Sequence, residues 1–388
     1  MSMREVFRVL YAPHKAFREI IQNPGYKGPL IIMLLFVLSF SGFYYVLSAR
    51  VYYDQTEPKL TELDKWTEDA GLWRSNLGAN VTINATDYIK GNYYGNRSIQ
   101  FTLENSTKID MELEIPESLN CLEPYSYTNL TFRVKIVEPA SKPAYMDVYL
   151  FSENAPDKYF KYSLPANNLT IGVWNNKTIL LKDFEEVQGA DWKNITSLKF
   201  ELAWPSNQNN IMVLIDGVFF HGVYESLLDM SGNAVIVNSA ISGFMQFTIQ
   251  WVMLGVILYL FLKIFRVQPI WKTILTISGF VLITFFIQHL ILMGIVLTYP
   301  EMYLSLETLG GVPGEGWTAD ARNFTSILII KYDILDRIIY YIWIVALCSI
   351  AVHLLFEFPW AKSISVSLLS SLISMLAFRF LIYGGVWL

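Results

Sequence analysis

The sequence predicts a membrane protein in which five transmembrane α-helices carry one all-β polar domain, a β-sandwich, between the first helix and the second. Three observations predict it. Gly28 to Ala49 is an uncharged apolar run bounded by Lys27 and Arg50, and crossing a hydrocarbon core of about 30 Å takes roughly 20 helical residues. Of the 388 residues, 53% are hydrophobic, 15% aromatic and only 16% charged, below the roughly 25% charged of average soluble chains. From Asn80 to residue 231 the apolar period switches to two, the signature of strands.

The first element is the tail, residues 1–27, with Val6, Phe7, Leu10, Phe17, Ile20 and Ile21 at helical spacing and Arg4, Arg8, Lys15 and Arg18 between them. Two readings fit: an interfacial helix with its cations toward anionic head groups, or a plain positive-inside topology signal. Pro13 is expected to begin a second short helix, because proline suits a first turn. Either way the tail is expected in the cytoplasm. The run at 28–49 is too long for the apolar part of a cleavable signal and no small-x-small site closes it, so it reads as the first transmembrane helix.

Residues 50–79 carry Leu60, Leu63, Trp66, Ala70 and Trp73 at three- and four-residue spacing and are expected to form a helical stalk. Residues 80–231 then read as the extracellular sandwich. NLTFRVKIV (Asn129 to Val137) and SLKFELA (Ser197 to Ala203) alternate strictly, and similar alternation occurs at Ser98 to Leu103, Lys108 to Ile115, Tyr145 to Ser152, Lys158 to Leu164 and Ile211 to Phe220. N-glycosylation sequons stand at Asn80, Asn84, Asn96, Asn105, Asn129, Asn168, Asn176 and Asn194, with another at Asn323 in a later polar loop. None lies in a segment expected inside. Cys121 and Cys348 fall in regions of opposite character and are not expected to pair, so no disulfide framework holds the domain.

The run from Tyr149 to Gly222, with VYLFSE, KYFKYSL, Trp174, KTILLKDF, GADWKNITSLKFELAW and VLIDGVFFHG, resembles the latter half of a carbohydrate-binding-module jelly roll. The resemblance implies that Asp216 and Gly217 shape the closing strand. It also leaves Trp174, Trp192 and Trp204 as either packing residues or platforms for a sugar. Aromatic rings stack on sugar faces, whereas large aromatics at strand ends often belong to the core. A glycosidase needs two facing carboxylates, and Asp183, Glu185, Glu186, Asp191 and Asp216 show no such arrangement, so no catalytic residue is named.

The membrane block follows. Transmembrane helices are expected at 232–262, 273–299, 338–356 and 363–388, with an extracellular loop at 300–337 and the C-terminus outside. The basic loop Lys263, Arg266, Lys272 is expected inside. Ser363, Ser367 and Ser371, Ser370 with Ser374, and Gly243, Gly255, Ser278, Gly279 and Gly294 are small residues suited to close helix packing. The polar residues at depth are His289, His353, Gln246, Gln250, Gln288 and Arg379, and Arg379 reads as snorkelling near the outer end of its helix. No acid is expected centrally in any span. No HExxH-like pair, phosphate-cradling glycine loop or nucleophile elbow occurs, so no metal or cofactor is expected.

VLYAPHKAFREIIQNPGYKGPLIIMLLFVLSF, with Pro13, Phe17, Ile20, Tyr26 and Pro29, is similar to the opening of the Yip family of five-span proteins, whose eukaryotic members interact with Rab-type GTPases. That family has a short loop where this chain inserts residues 50–231, and the GTPase-associated acidic tail motifs are missing, so the resemblance implies architecture without GTPase binding. The combined expectation is a non-enzymatic, N-glycosylated, archaeal-type cell-surface protein. Its partners would be the lipid bilayer and a surface glycan, an envelope protein or another membrane subunit, with no nucleic acid. The alternative is a subunit of a membrane transport or assembly complex with the jelly roll as an external lid.

Overall fold

The computed structural model describes residues 3–383 apart from 123–126, 154 and 314–318. The chain opens with α1 (Met3–Tyr11), α2 (Pro13–Gln22) and α3 (Lys27–Ser48). It then forms β1 (Val51–Glu57), short helical turns that include α4 (Lys65–Glu68), and β2 (Trp73–Arg74), β3 (Asn80–Asn84) and β4 (Ser98–Leu119). Next come β5 (Asn129–Glu138), β6 (Tyr145–Ser152), β7 (Ala155–Pro165), β8 (Asn175–Leu180), β9 (Glu185–Val187) and β10 (Ile195–Ser226). After α5 (Leu227–Ser231) the helices α6 (Asn233–Ile264), α7 (Trp271–Val281) and α8 (Ile283–Thr298) precede β11 (Met302–Leu304) and α9 (Leu306–Gly310). Finally α10 (Ala319–Arg337) runs through a π-helical segment (Ile338–Ile344) into α11 (Val345–Phe356), and α12 (Trp360–Tyr383) follows. The chain divides into a helical unit (Met1–Val51, Ser226–Met302, Asp320–Leu388) and a β unit (Tyr52–Glu225, Tyr303–Ala319).

In the β unit, β4 and β10 pair antiparallel along most of their length and serve two layers. Residues 195–203 of β10 pair with β6, which continues to β7 and β9, while 212–221 pair with β5, which continues to β8. The ladder slips between Ala203 and Gln208, where β10 passes from one layer to the other. Strict alternation then points Ile109, Met111 and Leu113, Met146, Val148 and Leu150, and Leu198, Phe200 and Leu202 into one core, all fully buried. Phe132 of one layer meets Phe200 of the other with ring centroids 4.6 Å apart. Each predicted window is therefore a strand, but Ser98 to Leu103 joins Lys108 to Ile115, and Ser197 to Ala203 joins Ile211 to Phe220.

The stretch expected as a helical stalk is a correction. Val51, Tyr52 and Tyr53 begin a strand, as β-branched and aromatic residues favour, and Pro58 ends it. The three- and four-residue spacing beyond comes from separate turns at Leu60–Glu62, Lys65–Glu68 and Ala70–Leu72. They insert Trp66 and Trp73 into the β core, where the Trp73 indole donates 2.7 Å to the Trp66 carbonyl.

In the helical unit, five described stretches are long and apolar enough to cross a membrane: Lys27–Ser48, Asn233–Ile264, Trp271–Thr298, Leu328–Phe356 and Trp360–Leu381. Their outward positions carry large apolar side chains such as Leu34 and Leu38. Residues 384–388 of the expected last span, and Gly314 and Gly316 of the expected outer loop, lie outside the described residues.

The fourth candidate span begins at Leu328, well before Ile338, because α10 fills residues 319–337 that were expected as loop. Lys331, Asp333, Asp336 and Arg337 interrupt the apolar run, but Asp333 and Arg337 pair at 2.8 Å one turn apart, which suits a helix. The tail is also different from an interfacial helix: Val6, Val9, Ala16, Phe17 and Ile20 are buried in the helical core. Ser363, Ser367, Ser370, Ser371 and Ser374 are all buried, and Gly279 lies against Pro29 and Trp251, as small packing residues should. Gly294 is the exception, with open space where a Cβ would stand.

Candidate functional site

The site is built from one face of three adjacent strands. On β6 the residues opposite the core are Tyr145, Asp147, Tyr149 and Phe151, on β7 Tyr159, Lys161 and Ser163, and on β10 Ser197, Lys199 and Glu201. Register sets them in rows. Lys199, Tyr149 and Lys161 stand side by side, flanked by Glu201, Asp147 and Ser163 on one side and Ser197, Phe151 and Tyr159 on the other. Neighbouring side chains on one face of a sheet are within contact distance, so the strands make a continuous aromatic and charged surface.

Tyr149 is its centre. The ring stacks on Phe151 at 6.3 Å and meets the edge of Tyr159 at 5.6 Å. The Lys199 ammonium lies 4.2 Å from the ring centroid, and the phenol donates 3.2 Å to Asp147 Oδ2. Asp147 also accepts from the Ser163 hydroxyl at 2.7 Å and pairs with Lys161 at 2.8 Å. Burial, and then the charge of Asp147, pushes the Tyr149 phenol up to about 12, so at neutral pH it stays an uncharged donor. The hydrogen bond to Asp147 raises Lys161 as well and keeps it cationic.

The face is bounded on the β4 side. Arg74 and Asn76 bind Glu112 at 2.7 and 2.8 Å, while Ser75, Asn76 and Leu77 bind Asp110, so residues 74–77 cover that edge. On the β10–β6–β7 part Tyr149, Phe151, Tyr159, Lys161, Lys199 and Glu201 are half-buried and reach the surface, while Asp147 and Ser197 are buried. That part offers flat apolar rings beside fixed donors and acceptors, which is what a hydroxylated ring with one apolar face requires.

The tryptophans singled out in the sequence stand elsewhere. Trp204 is buried and donates 3.0 Å to the Ser141 carbonyl. Trp192 is half-buried, stacked on Phe160 at 3.8 Å. Trp174 is half-buried and donates 3.0 Å to Asp87 Oδ1. None of the three belongs to the open face. Among the sequons, Asn80, Asn96, Asn105, Asn168 and Asn176 are exposed, while Asn84, Asn129 and Asn194 are half-buried. The Asn84 amide donates to Gln100 at 2.9 Å, and its carbonyl holds Thr86 and Asp87. The backbone at Asn323 lies in α10, and its side chain is outside the described residues.

Two buried polar constellations resemble catalytic groups. Asp54 Oδ2 meets His221 Nδ1 at 2.9 Å, and His221 Nε2 meets the Thr131 hydroxyl at 2.7 Å. The geometry is that of a triad, but Asp54 is 1% exposed, His221 3% and Thr131 0%, so the chain of hydrogen bonds holds β1, β5 and β10 together without reaching a substrate. Asp216 is likewise fully buried, accepting from Ile89 N at 2.6 Å and Gly217 N at 2.7 Å. It adjoins buried Asp64. Burial raises the titration of both carboxyls, and the charge of Asp64 raises Asp216 further, so the pair holds a proton above the ordinary aspartate range. Among the described residues no group of three or more His, Cys, Asp or Glu side chains is placed to hold a metal ion.

No family model and no curated protein matches the chain. Among solved structures it is similar to the family 11 carbohydrate-binding module of Clostridium thermocellum, in complex with a β-1,3-1,4-mixed-linked tetrasaccharide. That match has 16% identity, 43% of this chain, 94% of the other and a TM-score of 0.29. It is also similar to the xylan-binding domain of Paenibacillus barcinonensis (15% identity, 41% and 96% covered, TM-score 0.26). An exo-β-agarase matches at 10% identity over 41% of this chain and 24% of its own, with a TM-score of 0.29. At scores this low neither ligand nor activity follows from the likeness.

The sequence suspects of the helical unit fall into two groups. Gln246, Gln250, Gln288, His289 and Arg379 line one cavity. His353 does not. It hydrogen bonds to the Phe358 carbonyl at 2.7 Å and stacks on Trp360. Arg379 does not snorkel: it pairs at 2.7 Å with Asp336, a carboxylate within the fourth candidate span where no acid was expected.

Proposed function

We propose that this chain is a non-catalytic integral membrane protein that presents a glycan-binding β-sandwich at a cell surface. The single observation that carries the reading is the open row of Tyr149, Phe151 and Tyr159 set among Asp147, Lys161, Lys199 and Glu201. A polysaccharide would lay the apolar face of a sugar on the rings and direct hydroxyls to the charged groups, each of which both orients and discriminates. In this proposal the five helices form a Yip-like anchor with the N-terminal tail cytoplasmic and the β unit and C-terminus outside. Arg8, Lys15, Arg18 and Lys27, and the basic connection from Lys263 to Lys272, support that orientation. N-linked glycans would decorate the exposed sequons, and the partner is an extended surface or envelope glycan.

The test is retention of the purified full-length protein, in a detergent without a sugar head, on columns of xylan, mixed-linkage glucan, galactan and an extract of cell-envelope polysaccharide. Retention on at least one that is lost in Tyr149→Ala with the protein still folded supports the proposal. Failure to bind any of them overturns it.

A further inference from the structure

The helical unit holds a partly open cavity of about 720 Å³ lined by α3, α6, α8, α10, the π-helical segment and α12. The volume falls within the roughly 300–1,000 Å³ of small-molecule sites. Its wall is of two kinds. Phe36, Phe43, Leu47, Phe247, Phe285 and Phe378 are apolar, while Gln246, Gln250 and Gln288 come from the middle of membrane-length helices. Polar groups at that depth are costly unless they are paired, and they mark functional sites more often than packing. Gln288 is 1% exposed and its carbonyl oxygen has no hydrogen-bond partner among the described residues. His289 spends Nδ1 on the Phe285 carbonyl at 2.9 Å, which leaves Nε2 as an acceptor.

The charges decide what the cavity prefers. Asp336 pairs with Arg379 at 2.7 Å and Asp333 with Arg337 at 2.8 Å, so the lining carries equal numbers of fixed charges of each sign, already matched. An anionic head would meet both carboxylates, and a cationic head both guanidinium groups. The amides and the ion pairs together offer donors and acceptors without a net field. At the edge of the cavity Ile329, Ile330 and Phe380 are 61%, 56% and 63% exposed. That rim is apolar and would face hydrocarbon. The π-helical turn that carries Tyr340 to the wall is a further mark of a functional position.

We propose that the cavity binds one amphiphile, with its net-neutral, hydroxyl-rich head among Gln246, Gln250, Gln288 and the Asp336–Arg379 pair and its chain leaving past Ile329, Ile330 and Phe380. The test is native mass spectrometry of the full-length protein in a sugar-free detergent. It is mixed with equal amounts of monoglucosyl dioleoylglycerol, dioleoylphosphatidylglycerol and dioleoylphosphatidylethanolamine. The expected result is a single adduct of the glucosyl lipid, at least fivefold above either phospholipid. Gln288→Leu should lower that adduct at least fivefold. Gln246→Leu, at a half-exposed position that tolerates an apolar side chain, should lower it too if the first variant does not fold. Preference for phosphatidylglycerol or phosphatidylethanolamine, or an unchanged adduct in either folded variant, would overturn the proposal. Gln288→Leu and Gln246→Leu leave the β face intact, so loss of the adduct in them assigns it to the cavity and not to that face.

Discussion

Tyr149→Ala is the most informative change on the sandwich face. It removes a ring that touches Phe151, Tyr159 and the Lys199 ammonium, and a phenol that donates to Asp147. Aromatic pairs contribute about 0.5–1.5 kcal/mol and exposed cation–π contacts about 0.5–1 kcal/mol, so with two pairs and one such contact the variant should lose about 1.5–4 kcal/mol of stability. A domain with an ordinary margin of about 5–15 kcal/mol stays folded. The half-buried ring is also the central aromatic group of the face. Losing a contact worth about 1–2 kcal/mol lowers affinity about fivefold to thirtyfold, since about 1.4 kcal/mol is tenfold. Tyr149→Phe keeps the stack and loses the phenol's bonds to Asp147 and Lys161, so its affinity should fall by about threefold, near the lower half of the 0.5–1.5 kcal/mol range of a single hydrogen bond. The assay is affinity electrophoresis of the full-length protein through gels containing the retained polysaccharide, with a thermal melt of each variant beside it. Equal affinities for wild type and Tyr149→Ala, or losses that track the unfolded fraction in the melts, would refute the reasoning.

Four other outcomes are expected. The Asp64–Asp216 pair titrates above the ordinary aspartate range near 4, so the folded state binds more protons there than the unfolded state. Its stabilising contribution is full below that range and is lost as pH rises through the raised value; Asp64→Asn, whose amide can still accept from Gly95 N, should flatten this decline in melts taken from pH 4 upward. Phe200→Ala, which empties a fully buried site 4.6 Å from Phe132, should cost about 3–5 kcal/mol in denaturant unfolding followed by β-sheet circular dichroism. Ser367→Leu forces a bulky side chain into a fully buried position on α12 and should raise the aggregated fraction in size-exclusion chromatography above that of the wild type. Glycopeptide mass spectrometry on cells that glycosylate should find Asn80, Asn96, Asn105, Asn168 and Asn176 occupied ahead of Asn84, whose amide is already bound to Gln100.

Much of the fold is legible because it depends on short-range patterning. An uncharged apolar run of helical length has few stable forms other than a span, and the alternation in NLTFRVKIV or SLKFELA commits each strand to a buried face before any partner is known. The same alternation already put Tyr145, Asp147, Tyr149 and Phe151 on one side of β6. That was the available signal for the candidate face. What hid it was the pairing order: Lys199 and Lys161 lie far from Tyr149 in the chain, and only register brings them beside it. The tryptophans drew attention instead because size is visible in a sequence and burial is not.

In the helical unit the reading failed where charges interrupt an apolar pattern. Asp333, Asp336 and Arg337 made α10 look like loop, since a single chain shows the cost of a charge but not the partner that offsets it. The sequence by itself determined how many helices are long and apolar enough to cross a membrane, where the sandwich begins to alternate, and which residues are small enough for close helix packing. Only the tertiary structure decided that Arg379 meets Asp336, that the glutamines share one cavity, and that the aromatic row of β6 and β7 stands beside Lys199 of β10. Periodicity is set by neighbours a few residues away, whereas a site is made by residues that the chain's own folding must first bring together.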